Sequence, residues 1–372
     1  MFKPFQIQDL LQGLSRSFSS RPKAGGVLLI SAGGLGDTVL FSLVLPRLAS
    51  LAKDGEQVTV LIRREAAKMA FLLPPGMNVM AIDFKLLRHS LSYRRQTFAR
   101  LFETHYRLAV STDFLRHPHL DDSLIRAAAA DQSAAMEPRS WPKYDRALRQ
   151  NRNLFQRLFD SGPVHLDKVV RWARFADWLT GTTAPAPKVE LPQGLIGDTE
   201  LIEPADVMIQ PFSAVKLKQS PPDLYRMLIE QFPEGTRVAI TGAPGDLDNN
   251  PDFRRLLALP NVAFDSSTFV DLVPKLKAAR LVISVDTALM HLAIGLGAPT
   301  IGLASAAYVG EIVPYAEEIT PANAHILFQP MACQGCLGAC PLAPVDGMYP
   351  CIAGLAPARI KATADSILSP KA

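Results

Sequence analysis

The sequence predicts an α/β protein made of two doubly wound domains. Short apolar runs alternate with helical patterns in both halves, the order that builds parallel sheets from βαβ units. The length, 372 residues, exceeds what one hydrophobic core commonly organises. Near residue 180 the texture also changes, because "TGTTAPAPKVELPQG" is crowded with Pro, Thr and Gly. Residues 1–185 therefore read as an N-terminal domain, 186–204 as a linker and 205–372 as a C-terminal domain.

The elements follow in order. "MFKPFQIQDLLQGLSRSFSSRPK" is a short amphipathic helix with Phe5, Leu10, Leu11, Leu14 and Phe18 apolar and Lys3, Arg16, Arg21 and Lys23 around them. It suits either an arm packed on its own domain or a foot on an anionic membrane surface. Residues 26–31 are a buried strand, and a helix is expected over 37–53, opening at Asp37. Further strands are expected at 57–65, 78–84 and 106–113. Between the last two, 85–107 holds one Lys, five Arg and two His against one acid. That run is either a solvated helix face or a surface for an anionic acceptor, with Arg94 and Arg95 at its middle. The second series has strands at 206–212, 237–242, 281–286 and 299–304, and helices at 222–232, after Asp286, and at 356–369. No short internal repeat is present beyond this two-fold likeness of the halves.

Composition narrows the class. Hydrophobic residues make up 48 % and charged residues 20 %, a globular balance. A net charge of +4 does not by itself point to nucleic acid. No apolar run reaches the length of a transmembrane helix, and the N-terminus lacks a signal-peptide core, so a cytoplasmic chain is expected.

Three motifs carry chemistry. The first is "SAGGLGDT". Gly34 and Gly36 match two glycines of a dinucleotide fingerprint, but Val39 stands where the third belongs. Arg63 and Arg64 end the next strand and would suit a 2′-phosphate, which keeps an NADP-linked oxidoreductase as an alternative. Asp37, however, would repel a pyrophosphate in that turn. It is either a helix cap or a functional carboxylate. The second motif is "VISVDTALMHLAIGLGAPTIGL", where a strand ends at Asp286 and Thr287 opens a helix whose free amides attract anions. His291 is either a satisfied core residue or part of that site. The third is "IQPFSAVKLKQSPPDLYRML", whose Ser213, Lys216 and Lys218 suit a diphosphate if they are not merely solvated.

Together these motifs resemble glycosyltransferase family 9, the heptosyltransferase-like enzymes of lipopolysaccharide assembly. The resemblance rests on Leu35-Gly36-Asp37, Lys218-Gln219-Ser220-Pro221, Thr241-Gly242-Ala243-Pro244, Asp286-Thr287-Ala288-Leu289-Met290-His291, Gly297-Ala298-Pro299 and Pro314-Tyr315, in the family's order. Ser220 stands in place of the family's Trp, and Ala288 in place of a Gly near the donor phosphates.

The resemblance implies a GT-B architecture, two Rossmann-like domains facing a cleft, and an inverting transfer without a catalytic metal. Asp37 is then the general base, with Gly34, Gly36, Arg94 and Arg95 on the acceptor side. Ser213, Lys216, Lys218, Thr241, Gly242, Asp286, Thr287, Ala288, Met290 and His291 are expected to bind the donor. The partners implied are a nucleotide sugar, ADP-heptose-like, and a lipid-linked glycan acceptor at the cytoplasmic face of the inner membrane, with no nucleic acid. The substitutions at Ser220 and Ala288 leave a non-catalytic, sugar-nucleotide-binding member as the alternative.

All four cysteines lie within 19 residues, as Cys333-x2-Cys336-x3-Cys340-x10-Cys351. Four thiolates so close suit a structural zinc; disulfides and an iron–sulfur cluster are the other readings.

Overall fold

The computed structural model describes residues 4–16, 20–192 and 204–369. Its contacts divide the chain into two compact units, one of residues 1–164 and 171–185, the other of 165–170 and 186–372. Each unit holds one six-stranded parallel sheet. The first contains β1 (Val27–Ser31), β2 (Val58–Arg63), β3 (Asn78–Ile82), β4 (Leu108–Ser111), β5 (Gln132–Met136) and β6 (Arg157–Phe159). Its order is β3-β2-β1-β4-β5-β6. The second contains β7 (Val207–Gln210), β8 (Val238–Thr241), β9 (Val262–Asp265), β10 (Leu281–Val285), β11 (Thr300–Leu303) and β12 (Ala324–Leu327). Read from its β9 edge it runs β9-β8-β7-β10-β11-β12, the same doubly wound topology.

The apolar runs of the sequence are the central strands. Every residue of β1 and β10 is buried, as a strand covered by helices on both faces must be. In the first unit Leu28, Ile30 and Leu61 pack with Phe98, Leu101 and Leu124. In the second, Ile209, Ile240 and Ile283 pack with Tyr225, Leu228 and Ile360. Each such side chain contributes roughly 1.5–3 kcal/mol by leaving water.

Several boundaries differ from expectation, each for a local reason. The helix expected over 37–53 is two helices, Leu35–Ser42 and Leu45–Ala49. Pro46 has no N–H to donate, and its ring would clash with the carbonyl four residues back, so the first helix stops. The basic run divides at Ser90, whose hydroxyl accepts from the Tyr93 N–H (3.3 Å) and caps the helix Leu91–Thr104. The expected linker begins as a packed strap, because Val189 and Leu191 are buried and their N–H groups donate to Ile319 O (2.9 Å) and Gly295 O (2.7 Å). The rest of that linker, 193–203, lies outside the described residues, as do Lys3, Phe18 and the side chains of Leu10, Leu14 and Arg16.

The N-terminal helix Pro4–Arg16 packs along Leu91–Thr104, which agrees with the arm reading. Asp9 pairs with Arg94 (2.6 Å), and Gln8 and Gln12 donate to Leu91 O (2.9 Å) and Arg95 O (3.1 Å). Among the described residues no helix is long and apolar enough to cross a membrane.

Candidate active site

In a doubly wound sheet the loops on either side of the order reversal diverge and leave a crevice at the strands' carboxyl ends. The reversals fall between β1 and β4 in the first unit, and between β7 and β10 in the second. The motifs singled out in the sequence follow β1, β7 and β10.

After β1 the chain turns at Ala32-Gly33-Gly34 and enters the helix Leu35–Ser42. The Gly34 N–H donates to Asp37 Oδ2 (2.8 Å), a capping interaction that fixes the carboxylate. A Cβ on Gly33 would stand 2.4 Å from Asp37 Cβ, so this glycine makes room for Asp37 itself. The same carboxylate occupies the Gly34 amide that a dinucleotide's pyrophosphate would need. Val39, in place of the third glycine, is core at 1 % exposure. The turn is therefore not built for a dinucleotide.

Around this turn the fold gathers Arg63 with residues that no motif announced. The Ala32 N–H donates to Asp113 Oδ2 (2.6 Å), and Arg63 Nε donates to Ala32 O. Asp121, buried, accepts from the His117 N–H (2.5 Å). His119 N–H donates to His117 Nδ1 (3.1 Å), which puts the His117 ring proton on Nε2. Burial, with the nearby charges of His119 and Arg88, pushes His117 down to about 4, so it is neutral at pH 7. The His117 ring also packs against Tyr144 at 4.5 Å and Trp141 at 5.7 Å between centroids.

Burial, helped by the charge of Asp113, pushes Asp121 from 3.8 up to about 7. An acid whose folded pKa lies above its unfolded value holds its proton longer in the native state. Stability from this group is therefore complete below about pH 4, falls as pH rises toward about 7, and is flat above. Three pH units correspond to a penalty on the order of 4 kcal/mol at pH 8. Asp121→Asn keeps an acceptor for His117 and removes that penalty. Its melting temperature should exceed the parent's at pH 8 by several degrees and converge with it near pH 4. An equal offset at both pH values would mean that Asp121 is ionised throughout.

Arg94, expected on the acceptor side, is turned into the fold. It is 3 % exposed, paired with Asp9, and its guanidinium lies 4.5 Å from the Phe98 ring centroid. Arg95, one position on, is exposed.

In the second unit the best-built constellation follows β7 and β10. Lys218 Nζ stands 2.7 Å from Asp286 Oδ2, with the two side chains 13 % and 6 % exposed. The Tyr308 ring lies beneath the ammonium at 4.4 Å. Asp286 ends β10, and the helix Ala288–Gly295 starts two residues later. Its N-cap, Thr287, makes no side-chain bond to its own helix. The hydroxyl instead donates to Gln210 Oε1 (2.8 Å), which also accepts from Ser284 Oγ (3.1 Å). An N-terminus whose cap is spent elsewhere keeps amides for an anion. Ala288, the first helical residue, has the side chain a helix tolerates best.

His291 is 3 % exposed; its Nδ1 lies 2.6 Å from Tyr315 Oη and its Nε2 3.9 Å from Asp286 Oδ1. It braces the end of β10 from within the fold. Burial, with the charges of Asp286 and Asp167, holds the Tyr315 phenol well above its ordinary value, so it stays protonated. Ser213 Oγ accepts from the Val215 N–H (3.2 Å) and shapes the loop that carries Lys218.

Four of the expected donor residues have other partners within the fold. Met290 is fully buried, and a Cβ on Gly302 would meet its sulfur at 2.6 Å, so it is core. The side chain of Thr241 is fully buried, with its hydroxyl turned to Ile209 O (3.4 Å). Gly242 is required by packing, because a Cβ there would meet the Phe212 ring at 2.7 Å. Lys216 is held by Asn249 O (3.0 Å) and Asn250 Oδ1, away from Lys218's partner.

The family model for glycosyltransferase family 9 (heptosyltransferase) matches residues 140–337, more than half of the chain. No curated protein matches by sequence. Among solved structures, the glycosyl transferase family 9 protein of Veillonella parvula DSM 2008 superposes with a TM-score of 0.67 at 15 % identity, over 92 % of this chain and 97 % of that one. The E. coli heptosyltransferase WaaC with ADP gives 0.64 at 16 % identity, over 92 % and 99 %. The E. coli ADP-heptose lps heptosyltransferase II gives 0.63 at 15 % identity, over 92 % and 98 %. These likenesses carry the GT-B-type fold. With the family match, they make this chain an α/β glycosyltransferase belonging to family 9, the heptosyltransferase family.

Proposed function

We propose that the protein is an inverting glycosyltransferase that moves a heptose-like sugar from a nucleoside-diphosphate donor to a lipid-linked glycan of the lipopolysaccharide-core type. The observation that carries this reading is the Lys218–Asp286 pair at a helix start whose N-cap hydroxyl is spent on Gln210. A leaving diphosphate accumulates negative charge as the glycosidic bond breaks. A lysine ammonium and helix-end amides stabilise that charge with no call on a divalent ion. Asp286 and Tyr308 position the lysine, and His291 braces Asp286. ADP and ADP-heptose in the descriptions of similar structures favour an adenine nucleotide.

Inverting displacement needs one base for the acceptor hydroxyl. Asp37 is our choice. Its Oδ2 accepts from the Gly34 amide, which orients the carboxylate at the turn. Transfer from a nucleoside-diphosphate sugar to a lipid-linked acceptor, with the product's anomer read by NMR, tests the reading as a whole.

A membrane contact follows from the same proposal. Ile7, Leu11, Leu86 and Leu91 are exposed on the helices around the N-terminal arm, among exposed Lys85, Arg88 and Arg95. Such a face suits an anionic bilayer, where a lipid-linked acceptor lies. Flotation with phosphatidylglycerol vesicles should retain the protein, and Leu11→Asp with Arg88→Glu should release it. Equal retention of that variant would remove this face from the account.

A further inference from the structure

The four cysteines of the C-terminal loop surround one small cavity, together with Met331 and Tyr349. Their loop is built by unusual backbone. Leu337, a branched residue, is held in the left-handed region at φ 55°, between Gly335 and Gly338 at φ 76° and 86°. Its amides dock on one segment, since Gly335 N–H donates to Ala306 O (2.9 Å) and Leu337 N–H to Ala307 O (2.8 Å). In return the Ala306 N–H donates to the Cys351 sulfur. Cys333 and Cys340 are hydrogen-bonded to each other.

The donor set fits a thiophilic cation: four sulfurs, an otherwise apolar wall and an amide donor to sulfur. Among the described residues no three such side chains already stand at coordinating spacing.

What this loop touches gives it a further role. The segment it docks on, Ala306–Tyr308, carries the ring under Lys218 Nζ. A Cβ on Gly338 would meet Tyr308 Oη at 3.2 Å, so the loop sits directly on that ring's hydroxyl. On the other side, Tyr349 N–H donates to Leu217 O (2.8 Å), the residue before Lys218. Lys218 is thus clasped through its side chain and its backbone by elements that border the cysteine cavity.

We propose that Cys333, Cys336, Cys340 and Cys351 bind one thiophilic metal ion, and that the loop so fixed positions Lys218, so that metal occupancy and diphosphate affinity rise together. On binding, four S–H bonds break, four metal–sulfur bonds form and the protons pass to solvent; no electron is transferred. The positioning role of the loop stands on the contacts above. Its link to diphosphate rests on the function proposed for Lys218.

The test uses the full chain, purified under reducing conditions. Elemental analysis for zinc and iron should find about one ion per chain, lost in Cys340→Ser. Hydrogen exchange of residues 213–220 should then quicken about ten-fold when the ion is removed by chelation, and return when Zn2+ alone is restored. Pyrophosphate affinity should fall about ten-fold in step. Disulfides in place of bound metal, or a metal whose removal leaves exchange at 213–220 unchanged, would overturn the inference. Exchange that responds to metal in a protein that never binds pyrophosphate would uphold the positioning role and sink the donor reading instead.

Discussion

Asp37→Asn should lower turnover about 10³-fold while donor affinity and melting temperature stay near those of the parent. General base catalysis is worth roughly 10²–10⁴ in rate. Asparagine can still accept the Gly34 N–H, so the cap at the start of Leu35–Ser42 survives while the basic carboxylate is gone. Asp37→Ala removes both and should lose about 1 kcal/mol of stability as well. The pair of variants separates base from cap, which share one side chain here. Unchanged turnover in Asp37→Asn would show that another group takes the proton, and Asp113, bonded to the Ala32 amide of the same turn, is then the candidate. A parent protein that binds donor but never turns it over would favour the non-catalytic alternative raised by Ser220 and Ala288.

The second large effect is expected at Lys218. Lys218→Met leaves Asp286 buried without its ammonium, a loss of about 3–5 kcal/mol in unfolding free energy. It should also remove a charge-assisted bond to the diphosphate, about 1.5–3 kcal/mol, or roughly ten- to a hundred-fold in affinity. The double variant Lys218→Met with Asp286→Asn discriminates the two. Neutralising the stranded carboxylate should restore most of the stability seen in urea unfolding. Affinity for pyrophosphate should stay low. Binding by the double variant as tight as the parent's would mean that the ion pair is structural and the anion site lies elsewhere.

The central strands and the motif-bearing turns were readable because local chemistry dictates them. β1 and β10 are unbroken apolar runs, and Asp37 and Asp286 each sit where a strand hands over to a helix. β5 escaped notice because "QSAAM" is made of small residues without β-branched character. The edge strands β6, β9 and β12 are short and only partly buried, so they lack the unbroken apolar run that marks the central strands. The site was legible in outline but not in its bonding. Thr287's choice of Gln210 spans 77 residues, and Arg94's burial depends on Asp9, 85 residues away. Only folding shows that an arginine in a basic run has a buried partner, or that a threonine's hydroxyl leaves its own helix. Asp113, Asp121 and His117 belong to no motif, and their juxtaposition comes from the β1/β4 reversal.

The central claim is a single inverting displacement by the acceptor hydroxyl, with the carboxylate at the β1 turn as its general base and the leaving diphosphate held at the β7/β10 reversal. The anomeric configuration of the transferred sugar tests it most directly. With a nucleoside-diphosphate heptose of defined anomer and a lipid-linked glycan acceptor, the account predicts a product of opposite configuration, read from its one-bond C–H coupling by NMR. A product that retains the donor's configuration would require a second displacement or a front-face mechanism and would contradict the account.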